Sequence, residues 1–285
     1  MPPNKPATES APKRLPHAGS HVPNAFIGIL LGLSTAYLNI NARKKAMFYL
    51  VWIALLSIVA SFYDFDTEHS YFTQKHNILN QFGVKIGWFW TLITVGPFVW
   101  FVGRACHPDK DRVFKDIFRL LVATGMWYFT IQVFHRVLYA TSRCDKSVML
   151  SRTACSEQGG HWILGIDISG HCFLMVYSIL IICEESAAFR KFVSVGRDKP
   201  EGPLVNGTFL AMAVLHLFWD LQLVISTLYY HIMFDKVAGV AFAAGCWYVT
   251  YRGIYKQGLL PRPIGADDSD KRKASIPAKK RPHVH

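Results

Sequence analysis

The sequence predicts an all-α membrane protein: a polytopic bundle of about six transmembrane helices, with both termini on the cytoplasmic side. Three observations carry this. Of 285 residues, 51% are hydrophobic, and they concentrate in long runs. Six of these runs approach the ~20 apolar residues that a helix needs to cross a bilayer core. Lysine and arginine gather in alternate loops, the asymmetry that orients membrane proteins. The net charge of +12 therefore speaks to orientation and to anionic lipid. No basic face of a soluble domain is evident, so nucleic acid is not an expected partner.

Residues 1–23 are rich in Pro, Lys, His and Ser and read as a disordered cytoplasmic tail. They lack the short apolar region and small-residue cleavage site of a signal peptide. Residues 24–45 form a marginal segment: "AFIGILLGLSTAYLNI" (26–41) fits an interfacial helix, a re-entrant segment or an extra span. The membrane domain proper is expected over 46–256, with spans at 46–64, 82–102, 116–135, 166–184, 208–230 and 234–252. Residues 257–285, ending in "RPIGADDSDKRKASIPAKKRPHVH", read as a basic, disordered cytoplasmic tail.

Loop charge fixes the sidedness. "NARKKA" carries three basic residues, 103–115 four, 190–199 four, and the chain after residue 251 nine. All fall on one side, the cytoplasmic one, if the spans alternate. The other side receives the acidic "YDFDTEHSYF" and a long lumenal loop, 136–165. That loop holds Cys144 and Cys155, and an oxidising compartment favours a disulfide between them. The sequon at Asn206 falls at the cytoplasmic edge and should carry no glycan. Trp88, Trp90 and Trp127 lie near span ends, where aromatic belts form. Gly239, Ala243 and Gly245 read as small residues for helix packing.

The fourth span opens with "DISGHC" and closes with two glutamates. Asp167 or Ser169 can cap its first turn, where free N–H groups and the helix dipole favour an anion. Gly170 allows a ligand close to the backbone. The fifth span runs back and ends in "LYYHIMFDKVAG", which returns His231 to the face that holds His171. Asp235 follows His231 by four residues, on the same helical face if the helix continues. A carboxylate on one ring nitrogen would fix the tautomer and sharpen the other as a nucleophile. Two histidines at one membrane face can then divide a phosphoryl transfer, one attacking phosphorus and the other protonating the leaving oxygen. Lys85 and Arg136 are the cations available to a phosphate, beside Ser169 and Gly170. A second pair, His216 and Asp220, lies about 22 Å along the helix from His231. It reads as an intramembrane contact between helices. No metal-ligand cluster and no Walker or dinucleotide loop stands out, so no cofactor is expected.

These same stretches, "KHNILNQFGVKIGW" (75–88), "DISGHCFL" (167–174), "LYYHIMFDKVAG" (228–239) and "GCWYVTYRGIY" (245–255), resemble the fat storage-inducing transmembrane protein family. The resemblance covers roughly residues 46–256. It implies a multi-pass protein of the endoplasmic reticulum membrane, needed for lipid droplet biogenesis and distantly similar to lipid phosphate phosphatases. In that superfamily the Ser-Gly-His motif, here Ser169-Gly170-His171, supplies the general acid. The His-x-x-x-Asp motif, here His231 and Asp235, supplies the nucleophile and its orienting carboxylate. The implied activity is cleavage of fatty acyl-CoA at its diphosphate, giving acyl 4′-phosphopantetheine and adenosine 3′,5′-bisphosphate. Two departures stand out: no Lys-x6-Arg-Pro motif precedes residue 169, and no Ser-Arg precedes His231. Two other functions fit a chain of this kind: a non-enzymatic binder that partitions diacylglycerol or triacylglycerol, and a lipid phosphate phosphatase acting on monoesters.

Overall fold

The structure is a computed structural model that describes residues 25–62, 71, 77–78, 83–107, 110–147, 151–195, 199–229, 232–257 and 261–265. Its helices are α1 (Ala25–Leu38), α2 (Ala42–Phe62), α3 (Gly87–Cys106), α4 (Lys110–Thr141), α5 (Arg152–Glu157), α6 (Gly170–Ser186), α7 (Ala188–Val195), α8 (Gly202–Tyr229) and α9 (Met233–Trp247). A two-residue antiparallel pairing, β1 (Arg143–Cys144) with β2 (Trp162–Ile163), ties the loop between α4 and α6.

Five helical stretches among the described residues are long and apolar enough to cross a membrane: α2, α3, α4, α6 with α7, and α8. The expected sixth span is α9, whose 15 residues run straight into a π-helical turn, Tyr248–Ile254. Together they rise about 30 Å, enough to cross. The marginal segment forms α1, whose 14 residues span about 21 Å and fall short of the hydrocarbon thickness. It ends at Asn39–Asn41, where the Asn41 side chain accepts the N–H of Arg43 at 2.9 Å and starts α2.

Helix α6 is the centre of the bundle. It packs against α9, α8, α3, α2, α1 and α4. Its sequence GHCFLMVYSILIICEES is apolar all round, which suits a helix with no face left for lipid. The outer helices turn large apolar side chains outward, among them Phe48, Leu55, Phe89, Leu121, Phe129, Val214 and Leu217. In a membrane protein such a surface meets acyl chains.

Several boundaries differ from the sequence reading. Helix α4 has 32 residues and continues to Thr141, so the loop begins six residues later than expected. Trp88 is buried in the core and does not anchor an interface. Its ring stacks between Trp127 and Tyr177 at 5.6 and 5.7 Å, and its indole N–H donates to Thr124 Oγ1 at 3.1 Å. Burying three large rings in one stack is worth more than one interfacial contact. Gly245 packs against no helix: a Cβ there would meet nothing within 4 Å. Two residues beyond the buried Ala243, it is turned about 200° to the outer face. Residues 262–265, expected in the disordered tail, fold back instead. Pro263 and Ile264 are buried, and Gly265 turns with φ +86 against the carbonyl of Ala187. Residues 1–24 and 266–285 lie outside the described residues.

Candidate active site at the start of α6

Ser169, not Asp167, caps α6. Its backbone is extended, and its Oγ accepts the N–H of Cys172 at 3.3 Å. Its own N–H donates to the carbonyl of Asp235 at 3.1 Å, which pins the start of α6 to the first turn of α9. The approach is close because Gly239 has no side chain. A Cβ there would sit 2.5 Å from the Ser169 carbonyl oxygen and 3.3 Å from the Phe173 nitrogen. The small-residue reading holds for Gly239 and for the fully buried Ala243. Phe134 of α4 closes the third side, edge-on to Phe173 at 5.4 Å and to Phe242 at 5.1 Å.

The segment 169–171 and the segment from 235 onward therefore meet, although 66 positions separate Ser169 from Asp235. His171 is half-buried in the first turn of α6. Asp235 is buried in the first turn of α9. His231 lies outside the described residues. The relation expected between His231 and Asp235 needs correction: α9 starts only at Met233, and Ile232 before it is extended, with φ −77 and ψ 161. Asp235 thus stands in the first turn of a helix that does not reach back beyond Met233. Gly170 is in ordinary contact with α4, since a Cβ there would lie 3.6 Å from Ile131 Cδ1.

The cations fall differently from expectation. Lys85, on the turn before α3, and Arg136, near the end of α4, are both exposed. The buried cation at this end is Lys236, next to Asp235, and its Nζ donates to the carbonyl of Thr227 in the last turns of α8 at 2.6 Å. Among the described residues it has no carboxylate in an ion pair. A lysine that is 4% exposed and faces a carbonyl has unused donors and an unneutralised charge, which suits an anion. The sequence signal was available in "FDKVAG", where Lys236 sits inside an apolar helix start. The arrangement thus offers an imidazole, a buried carboxylate, a buried ammonium and a helix N-terminus at one end of the bundle. Those are the parts of a site for phosphoryl transfer.

The opposite end of α6 explains the two glutamates. Glu185 is buried and receives two hydrogen bonds from Arg119, Nε to Oε1 at 3.0 Å and Nη2 to Oε2 at 2.8 Å, plus Tyr251 O–H at 2.9 Å. Asp116 pairs with the remaining face of the same guanidinium. Glu184 accepts from Trp247 Nε1 at 3.1 Å and from Arg252. His216 and Asp220 are structural in the way expected, and more widely connected. Tyr37 of α1 bonds His216 Nδ1 at 2.8 Å and also Asp220, Tyr49 of α2 bonds Asp220 at 2.5 Å, and Lys45 lies 2.7 Å from His216 Nε2. This network joins α1, α2 and α8 through side chains whose partners are all protein atoms.

In the loop between α4 and α6 Cys144 and Cys155 form a disulfide, with Cα atoms 5.8 Å apart. Asp145 beside it accepts the His161 N–H at 2.9 Å, which holds its carboxyl below the usual carboxylate range. Cys144, Asp145 and Cys155 are the one His/Cys/Asp/Glu group of metal-like spacing among the described residues. Oxidation of both thiols leaves it without thiolate ligands.

Comparison with known proteins agrees with these motifs. The family described as "FIT: Fat storage-inducing transmembrane protein" matches residues 68–140 and 136–201. A Caenorhabditis elegans protein named acyl-coenzyme A diphosphatase FITM2 is 46% identical over 268 residues, covering 90% of this chain and 94% of the relative. The protein of that name from Xenopus laevis is 35% identical over 71% of this chain and 80% of its own length. The one from Homo sapiens is 29% identical over 77% and 87%. No solved structure matches. Similarity across nearly the whole of a curated relative takes in both the α6 start and the α9 start, and the chain belongs to the fat storage-inducing transmembrane protein family.

Proposed function

We propose that this protein is a membrane-embedded acyl-CoA diphosphatase of the endoplasmic reticulum whose site is the junction of α6 and α9. The observation that carries the reading is the hydrogen bond from Ser169 N–H to Asp235 carbonyl, with Gly239 beneath it. It joins the Ser-Gly-His segment to Asp235, the carboxylate of the His-x-x-x-Asp motif. The relatives' printed name supplies the substrate: the diphosphate of a coenzyme A thioester.

In this mechanism a nitrogen of His231 attacks one phosphorus of the diphosphate. The bridging P–O bond breaks, and the departing phosphate oxygen takes its proton from His171. Water then resolves the phosphohistidine. The products are acyl 4′-phosphopantetheine and adenosine 3′,5′-bisphosphate. Lys236 and the first turn of α6 neutralise charge on the phosphoryl oxygens, in the role left open by the missing Lys-x6-Arg-Pro motif. Asp235 holds the site through its buried carboxylate. The acyl tail stays among the apolar faces of the bundle, beside diacylglycerol and triacylglycerol, and the activity supports lipid droplet formation.

The test is product identity. Purified protein in detergent with oleoyl-CoA should release adenosine 3′,5′-bisphosphate, detected by mass spectrometry. Release of inorganic phosphate from phosphatidic acid in its place would mark a monoesterase and overturn the substrate assignment. Lys236→Met should retain its size-exclusion profile and lose ~10²-fold or more in turnover, the typical loss when one transition-state donor is removed.

A further inference from the structure

We propose a second anion site, at the end of α6 opposite His171, that binds the phosphate group of a ligand distinct from the hydrolysed diphosphate. A cavity of about 440 Å³ opens there between the α1–α2 turn, the α6–α7 junction, the π-helical turn and the returning segment 261–265. Among the described residues Arg43, Arg190, Arg252, Lys256 and Arg262 line it, with Glu184 the one carboxylate. That carboxylate is already bonded by Arg252 and Trp247. So much like charge around one small volume is unfavourable unless an anion occupies it.

Two independent features aim at the same volume. The first turn of α2, Ala42 and Arg43 with its Asn41 cap, faces the cavity, so the positive end of a 21-residue helix opens into it. Asn39 also lines it, and both amide atoms, Nδ2 and Oδ1, are buried with no hydrogen-bond partner. Arg252 Nε is likewise buried and unpartnered. The guanidinium and ammonium groups that line the cavity carry the donors, and phosphate oxygens are acceptors of the right kind. Arg262 bonds the Lys256 carbonyl at 2.8 Å, which keeps the returning segment closed against the site. Neither the size nor the donor set distinguishes a lipid headgroup phosphate from a soluble one. The membrane end on which the cavity opens is the Lys/Arg-rich one, where anionic lipid is the abundant source.

The experiment uses full-length protein in phosphatidylcholine nanodiscs, with phosphatidic acid incorporated in one arm and inorganic pyrophosphate added in the other. Unfolding temperature and binding are measured for wild type, Arg190→Gln/Arg262→Gln and Arg190→Lys/Arg262→Lys. The expected result is a raised unfolding temperature in at least one arm, kept by the lysine variant and lost by the glutamine variant, with binding weakened about tenfold or more. A response to phosphatidic acid alone assigns a lipid ligand; a response to pyrophosphate assigns a soluble one. Acyl-CoA cleavage by the glutamine variant should stay unchanged, which separates this site from the catalytic one. If the glutamine variant fails to fold, Lys256→Gln replaces it with the same expectation. No response of the wild type, or an equal response of wild type and glutamine variant, overturns the proposal.

Discussion

Ser169 shows how much one residue can fix. Its side chain caps α6, its N–H holds α9, and its carbonyl lies where only glycine fits at position 239. Gly239→Ala should therefore cost about 1–3 kcal/mol by forcing two backbones apart, and should lower activity along with the unfolding temperature. Gly170→Ala is the contrasting case, because its Cβ meets Ile131 at ordinary distance. Thermal unfolding should hardly change, and a fall in turnover at unchanged stability would show that substrate lies against that backbone. Arg119→Ala should destabilise by roughly 3–5 kcal/mol, since it leaves Glu185 buried without its main partner. Replacing Asp116, Arg119 and Glu185 together with apolar residues should recover much of the loss, as read by unfolding temperature in detergent.

At the scale of elements, apolar run length located the spans well, because crossing a bilayer imposes one length on all of them. It read the ends poorly. Helix α4 continues to Thr141, since nothing in "RVLYAT" breaks a helix before the loop's cysteine pairing begins. Separate spans 208–230 and 234–252 were expected, with Asp235 on the face of His231 only if the helix continued; α9 begins at Met233, after an extended Ile232. Hydrophobic content cannot report such a break, because Ile, Met and Phe suit helix and turn alike in an apolar setting. The loop between α4 and α6 has a titratable clasp of its own. The Asp145 carboxyl is held low by the His161 N–H, so the clasp is fully present above the ordinary carboxylate pKa of ~4. It is lost as pH falls through the lower, folded value. Hydrogen exchange across residues 142–165 should rise over that acidic window in the wild type. In Asp145→Asn it should be raised already at neutral pH.

For the whole molecule, the class, five of the six expected spans and the two motif segments were legible because each is local in sequence. The polar networks were not. His216 and Asp220 announced each other at i+4, yet their partners Tyr37, Lys45 and Tyr49 are more than 160 positions away. Glu185 and Arg119 lie 66 positions apart, and neither carries a local sign of the other. Lys236 was visible but outweighed by Lys85 and Arg136, which only the folded bundle shows to be exposed. The bundle thus separates its two ends: the proposed catalytic junction at the start of α6 and buried charge networks beside a cationic cavity at its close.

The central proposal is that the starts of α6 and α9 and His231 form one catalytic unit. The most direct measurement is oleoyl-CoA cleavage by purified wild type, His171→Ala, His231→Ala and the double variant, each checked for a native size-exclusion profile. Each single variant should lose nearly as much activity as the double, since groups acting in one step are strongly non-additive. Substantial cleavage by either folded single variant would contradict the account.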